Sequence, residues 1–252
     1  VYICGTSEVT FREEMKWKIA TEKIYQHLIL NPKGRLIYVG AGTSGRIGVQ
    51  DGVELLPTFS WPKSRLDYII AGGKAALLNS IENAEDDILE ATKIVLTKSI
   101  NSDDVIIGLA ASGNTPFTCK VLEEANKKNA LTIAISNNPS GKLLEFGKCQ
   151  IILDTKEELI AGSTRLKAGT SQKICLNIIS SLVMSNKEIN QNSIDSLKRS
   201  SVETLINQKI KLMEVSKYNI GNDKLQLKNY LNSISNNNID NLKNKFKENN
   251  LD

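Results

Sequence analysis

The feature that most constrains this chain is a series of short apolar runs that do not alternate with polar positions: "RLIYV" (35–39), "DYIIA" (67–71), "DVIIGLA" (104–110) and "LTIAIS" (131–136), with a weaker fifth, "CQIILD" (149–154). A strand with one wet face alternates. A strand that is apolar throughout is buried on both faces, as in a parallel sheet covered by crossover helices. The segments between the runs read as helices, so the pattern predicts an α/β domain with a five-stranded, doubly wound parallel sheet. Ligands of such sheets bind beyond the carboxyl ends of the strands, so the residues just after each run are the candidates for a binding site.

The first run is followed by "GAGTSGRIG" (40–48), where Gly40, Gly42 and Gly45 satisfy the spacing of a dinucleotide-binding loop. A dinucleotide site also needs a carboxylate at the end of the second strand for a ribose hydroxyl. Here Asp67 opens the second run, and its end offers only Ala71, Gly72 and Gly73. Three junctions are instead rich in small and hydroxyl residues: "GTSGR" (42–46), "ASGNTP" (111–116) and "AGSTRLKAGTSQK" (161–173). Bare amides and hydroxyls at helix N-termini bind a terminal phosphate, because the helix adds unpaired N–H donors and partial positive charge. The competing reading is that Ser44, Ser112 and Ser163 are simply N-caps.

Composition narrows the chemistry. With one histidine, His27, in the helical stretch "EKIYQHLIL", multi-histidine zinc sites and histidine relays are excluded and no metal site is expected. His27 itself reads as surface or packing. The cysteines Cys4, Cys119, Cys149 and Cys175 form no C-x-x-C pair, and three sit in apolar or helical surroundings, which fits a reduced, cytoplasmic setting. A net charge of +4, partly from a lysine-rich tail, leaves no nucleic-acid footprint. No apolar run approaches the roughly 20 residues of a membrane helix.

Before the first strand, "TFREEMKWKIATEKIYQHLIL" has helical periodicity, with Thr10 as N-cap and Glu13 as its capping-box partner. Beyond residue 185 the composition shifts to Asn, Lys and Ser. Periodic apolar positions such as Leu197, Val202, Leu205, Ile206, Ile210 and Met213 predict a longer helix followed by shorter ones. The expected organisation is therefore a phosphate-binding α/β domain over 1–185, with the N-terminal helix included, and a small helical region over 186–252.

The stretches "GRLIYVGAGTSGRIGVQDGVELLPTF", "YIIAGGKAALLNSIENAEDD", "VIIGLAASGNTPF" and "AGSTRLKAGTSQK" resemble the sugar isomerase (SIS) domain of N-acetylmuramic acid 6-phosphate etherases and the related glucokinase regulatory proteins, over residues 33 to 185. "AASGNTP" and "GSTRLKAGT" stand closer to the etherases. The resemblance implies the three-layer αβα SIS fold and a phosphosugar held by Thr43, Ser44 and Gly45, by Ser112, Gly113 and Asn114, and by Ser163, Thr164 and Lys167. It also implies two catalytic glutamates, Glu54 in "DGVELLPTF" and Glu85 in "IENAEDD", no cofactor, and a homodimer whose sites take groups from the neighbouring subunit.

The implied reaction removes D-lactate from carbon 3 of the substrate by elimination, then adds water to give N-acetylglucosamine 6-phosphate. In the open-chain sugar the aldehyde acidifies the hydrogen on carbon 2, so one carboxylate can remove it while a carboxylic acid protonates the departing ether oxygen. The two carboxyls are expected in one partly dry cleft, with Glu54 assigned to the leaving oxygen and Glu85 to carbon 2 or water. Read without the resemblance, Glu54 is an exposed helix residue, and Glu82, Glu85, Asp86 and Asp87 favour a helix N-terminus. Arg46 and Arg165 either contact substrate or pair with a local acid. The chain departs from the etherases in having "DGVE" for the usual "DASE", and "MSNKEINQNSIDSLKRSS" where a "YGNLMVDV"-like stretch is usual. Two other functions fit the same loops: a non-catalytic phosphosugar sensor and an aldose–ketose isomerase.

Overall fold

In the computed structural model the described residues are 11–184, Leu159 and Ala161 excepted. The predicted cap Thr10 and the helical region over 186–252 lie outside them. Five strands form one sheet: β1 (Leu36–Gly40), β2 (Leu66–Ile70), β3 (Val105–Ala110), β4 (Leu131–Ser136) and β5 (Cys149–Ile152). All are parallel, in the order β2-β1-β3-β4-β5. Every residue of β1, β3 and β4 is buried, which is why these runs do not alternate. The edge strands β2 and β5 each keep partly exposed positions.

Helices α1 (Phe11–Leu30), α2 (Gly42–Val53) and α6 (Lys167–Met184) cover one face of the sheet, and α4 (Ile88–Thr97) and α5 (Pro116–Lys127) the other; the short α3 (Leu55–Phe59) continues from α2. On the α4–α5 side, Ile37, Val39, Ile69 and Ile106 pack with Val95, Phe117 and Leu122. On the other side, Gly48 of α2 lies directly over Tyr38: a Cβ there would stand 3.1 Å from the tyrosine Cβ.

The amino edge of the sheet is pinned by charge. The Arg35 guanidinium forks onto buried Asp104, Nε to Oδ1 at 3.0 Å and Nη2 to Oδ2 at 2.7 Å, tying the starts of β1 and β3. Arg65 donates to the carbonyls of Leu28, Asn31 and Gly34 and lies over the Trp61 ring. His27 is on the last turn of α1, where its carbonyl receives the Asn31 amide. Cys119, Cys149 and Cys175 are buried and unbridged. At the carboxyl edge the order of strands reverses direction between β1 and β3, and in sheets of this kind the ligand crevice lies at this switch point.

Candidate functional site

The β1–α2 loop is shaped by backbone contact. A Cβ on Gly45 would stand 2.9 Å from the carbonyl oxygen of Gly40, and one on Gly40 would stand 2.8 Å from the Gly45 nitrogen. Two of the three fingerprint glycines therefore serve close packing of helix against strand. The third, Gly42, takes φ +50° at the first position of α2, a conformation that favours glycine, and nothing lies within 4 Å of the Cβ it lacks. The helix's N-cap is Ala41, which has no side-chain donor or acceptor to offer. The first i to i−4 bond runs from the Gly45 amide to the Ala41 carbonyl. The amides of Gly42, Thr43 and Ser44 thus precede the helix's own ladder at the carboxyl end of β1.

The β3–α5 loop turns at Gly113, φ +70°, and packs on the loop after β4 at Gly141. Part of this loop's polarity is structural. The Asn114 amide donates to Ser112 Oγ, Asn114 Oδ1 accepts from the Lys142 amide, and Asn138 Nδ2 donates to the Ser112 carbonyl. Helix α5 begins with Pro116 behind Thr115, whose hydroxyl makes no capping bond. By contrast α4 is closed by Asp87, which accepts from the Glu90 amide at 2.8 Å. Neither Ser44 nor Ser112 is an N-cap, so the capping explanation fails for both, and α2 and α5, which follow β1 and β3, both start without a side-chain cap.

The third loop behaves differently. The amides of Lys167 and Ala168, which open α6, both donate to the Glu158 carboxylate, at 3.1 and 2.9 Å. A carboxylate of the chain itself therefore sits where the loop was expected to offer an anion site. Thr164 keeps its carbonyl on the Gly169 amide, and Gly169 lies against Thr43: a Cβ on it would stand 3.4 Å from the threonine Cγ2. The first and third loops meet there. Lys167 lines a cleft of about 620 Å³ with Asn137, Asn138, Asp154, Lys156 and Glu157, at the carboxyl ends of β4 and β5. Asn137 donates to the Leu153 carbonyl and to Ser171, and accepts from Gln172, which fixes this end of β4 to α6. Glu158 and the asparagine pair escaped the sequence reading. The run "SNNPSG" after the fourth strand was the available signal for the latter.

The two glutamates are not brought together within one chain. Glu85 lies on an exposed single turn, Ala84–Asp86, in the loop that leaves the carboxyl end of β2. Its neighbour Ala84 and the N-cap Ala41 both pack on the core cluster of the α4–α5 face. Glu54 is the exposed C-cap of α2, about 18 Å along the helix from Gly42 at 1.5 Å per residue. Because β1 and β2 are parallel, α2 runs back toward the amino edge, and Glu54 stands at the opposite end from the glycine loop.

Between these ends lies a buried polar cluster. Asp51 is 3% exposed and accepts from Tyr38 Oη at 2.8 Å and from Ser180 Oγ at 3.2 Å, with Lys173 Nζ 4.0 Å away. Burial raises the Asp51 carboxyl from its ordinary 3.8, against the Tyr38 bond, Lys173 and Ser180. Burial and then Asp51 hold the Tyr38 hydroxyl well above its usual 10. Tyr68 stacks on Tyr38, and its ring fills the space beside Gly52: a Cβ there would lie 2.6 Å from Tyr68 Cε1. That is the reason for glycine in "DGVE". Asp67 pairs with Lys98 at the amino edge, far from any ribose role. Among the described residues no group of three His, Cys, Asp or Glu side chains forms a metal site, and no helix is long and apolar enough to cross a membrane.

The five-stranded parallel order with helices on both faces is an SIS-like α/β fold. Residues 20–126 match the family described as "Glucokinase regulatory protein N-terminal SIS domain". The fold is shared with the solved phosphoheptose isomerases of Francisella tularensis (TM-score 0.52, 18% identity, 71% of this chain and 89% of that one) and Neisseria gonorrhoeae (TM-score 0.51, 14% identity, 71% and 89%). In sequence the chain is a homologue of N-acetylmuramic acid 6-phosphate etherases. It is 51% identical to that of Deinococcus radiodurans over 151 residues, covering 60% of this chain and 50% of the relative. It is 46% identical to that of Lactobacillus johnsonii over 151 residues (60% and 51%), and 42% identical to that of Bacillus cereus strain AH187 over 165 residues (65% and 56%). The chain spans about half the length of the curated relatives it matches.

Proposed function

We propose that the protein is an N-acetylmuramic acid 6-phosphate etherase, a carbon–oxygen lyase acting as a homodimer. The carrying observation is the pair of uncapped helix N-termini at the carboxyl ends of β1 and β3 in a chain 42–51% identical to etherases. The amides of Gly42, Thr43 and Ser44, with Gly45 behind them, receive the phosphate together with Ser112, Gly113 and Asn114. Ser163, Thr164 and Lys167 border it where the third loop meets Thr43. A dianion here replaces the side-chain cap that neither helix has.

Catalysis then needs two proton transfers. One carboxylate takes the hydrogen from carbon 2. The electron pair forms the carbon 2–carbon 3 double bond, the carbon 3–oxygen bond breaks, and the lactyl oxygen leaves with a proton from a carboxylic acid. Water then adds at carbon 3 and a proton returns to carbon 2. Glu85, in the loop that leaves the carboxyl end of β2, acts at carbon 2 or on water. Glu54, at the far end of its own α2, protonates the leaving oxygen in the site of a second subunit. The chain's own carboxyls and amides supply these steps, with no cofactor.

The test is D-lactate release from N-acetylmuramic acid 6-phosphate by the purified chain beside Glu54→Gln and Glu85→Gln. Release by the parent, lowered by about 10²-fold or more in either variant, supports the etherase. The match to the regulatory protein's domain favours a second reading, a non-catalytic phosphosugar sensor. Binding of the phosphosugar without lactate release would select it.

A further inference from the structure

We infer that Arg46 is a positioning residue that latches the Glu85 segment to the phosphate loop. The inference rests on the proposed etherase reading for its effect on rate, but on geometry alone for the latch. Arg46 stands one residue after Gly45, in the first turns of α2. Among the described residues its guanidinium pairs with no carboxylate and donates to backbone carbonyls. Nε donates to the carbonyls of Ala76, at 3.0 Å, and Leu77, at 3.3 Å, and Nη2 donates to that of Asn79, at 2.9 Å. These carbonyls belong to the end of the helical turn Gly73–Leu77 and the residues just after it. The exposed C-terminal carbonyls of such a turn carry partial negative charge and lack partners of their own, so a planar fork of donors suits them.

The segment held in this way connects β2 to α4 and carries Glu85. Its middle is weakly fixed by its own packing: Leu78, Asn79, Ser80, Ile81, Glu82 and Asn83 are all exposed, and Gly72, Gly73 and Asn83 take positive φ. Its other ties include the Ala71 amide on the Gly40 carbonyl, buried Ala76, Ile81 against Gly72, and the Ala84–Asp86 turn on α5 with Ala84 at the core. Arg46 adds the direct bond from the phosphate-loop helix to the middle of this segment. A sugar phosphate anchored on α2 and a carboxylate anchored through 73–87 must keep a fixed separation. Misplacement of a reacting group by about 1 Å costs on the order of 10²-fold in rate.

The experiment compares Arg46→Lys and Arg46→Ala with the parent in three readouts: turnover, affinity for N-acetylglucosamine 6-phosphate, and amide hydrogen exchange over residues 73–87. The latch predicts faster exchange in 73–87 in both variants with the strands unchanged. It predicts kcat lower by about 10²-fold with KM and product affinity within about threefold, and partial recovery of Arg46→Ala by added methylguanidine. Unchanged exchange over 73–87 overturns the latch. So does loss of product affinity with kcat retained, which would make Arg46 a phosphate ligand. If the parent releases no lactate, the etherase reading fails, and the exchange readout still decides the latch.

Discussion

Asp51 is 3% exposed yet takes hydrogen bonds from two other elements, and Asp51→Ala leaves the buried Tyr38 hydroxyl without its acceptor, whereas Ser180 keeps the Leu176 carbonyl at 2.8 Å. An orphaned buried donor of this kind costs about 1–3 kcal/mol, and the loss is read as a lower midpoint in urea unfolding. Asp51→Asn keeps an acceptor and removes the charge, and it isolates the titration. The folded-state pKa of Asp51 is raised above 3.8, mainly by burial. A group raised in the folded state contributes stability that is fully present below its unfolded pKa and is lost as pH rises through the folded one. The stability of the parent relative to Asp51→Asn therefore falls as pH increases from about 4 through that raised value. Denaturation series at several pH values check this, and a flat difference would remove Asp51 from the pH dependence. At the same scale, burial lifts the Cys119 thiol to about 11 from 9.0. Its alkylation by iodoacetamide at neutral pH should run about 100-fold slower in the folded chain than after unfolding, as mass spectrometry of the labelled peptide would show.

At the scale of elements, the first turn of α2 is held against the end of β1 with no room for a methyl group. Gly45→Ala inserts a Cβ 2.9 Å from the Gly40 oxygen, and backbone, unlike a flexible side chain, cannot swing aside. The variant should lose about 1–3 kcal/mol and bind the phosphosugar roughly tenfold more weakly, because the displaced turn carries the Gly42–Ser44 amides. Gly108→Ala, where the contact is Leu122 Cδ1 at 2.5 Å, serves as a comparison that crowds the core without touching the loop. The strands were legible in the sequence because burial on both faces erases alternation, and the observed β3, β4 and β5 fall within the apolar runs read for them. The hydroxyl-rich loops were legible because glycines and hydroxyls cluster where strands end. Which helix ends stand open was not legible. The carboxylate that caps α6 is nine residues upstream of Lys167 and reaches it only through the path of the intervening loop.

For the whole molecule, the proposed reaction turns the separation of the glutamates into a question of assembly. Sequence spacing put Glu54 and Glu85 in matched motifs, but it did not show that α2 carries Glu54 back to the amino edge while Glu85 stays at the carboxyl edge. A helix of 12 residues is too long for Glu54 to return to its own loop. If both carboxyls serve one substrate, the missing one comes from a second copy, and a twofold dimer supplies it reciprocally. This has a sharp consequence for mixed dimers. Glu54→Gln and Glu85→Gln are each expected to be inactive alone, since every site then lacks one carboxyl. In a heterodimer of the two, one site joins the intact Glu85 of one chain to the intact Glu54 of its partner, and the other site lacks both. With random reassociation of equal amounts, about a quarter of the parental lactate release should return. The measurement is activity after the two variants are mixed, unfolded together and refolded, against each refolded alone. Recovery near that level demonstrates a site shared across the dimer. If mixing restores nothing while the refolded parent is active, Glu54 and Glu85 do not act from different subunits in one site.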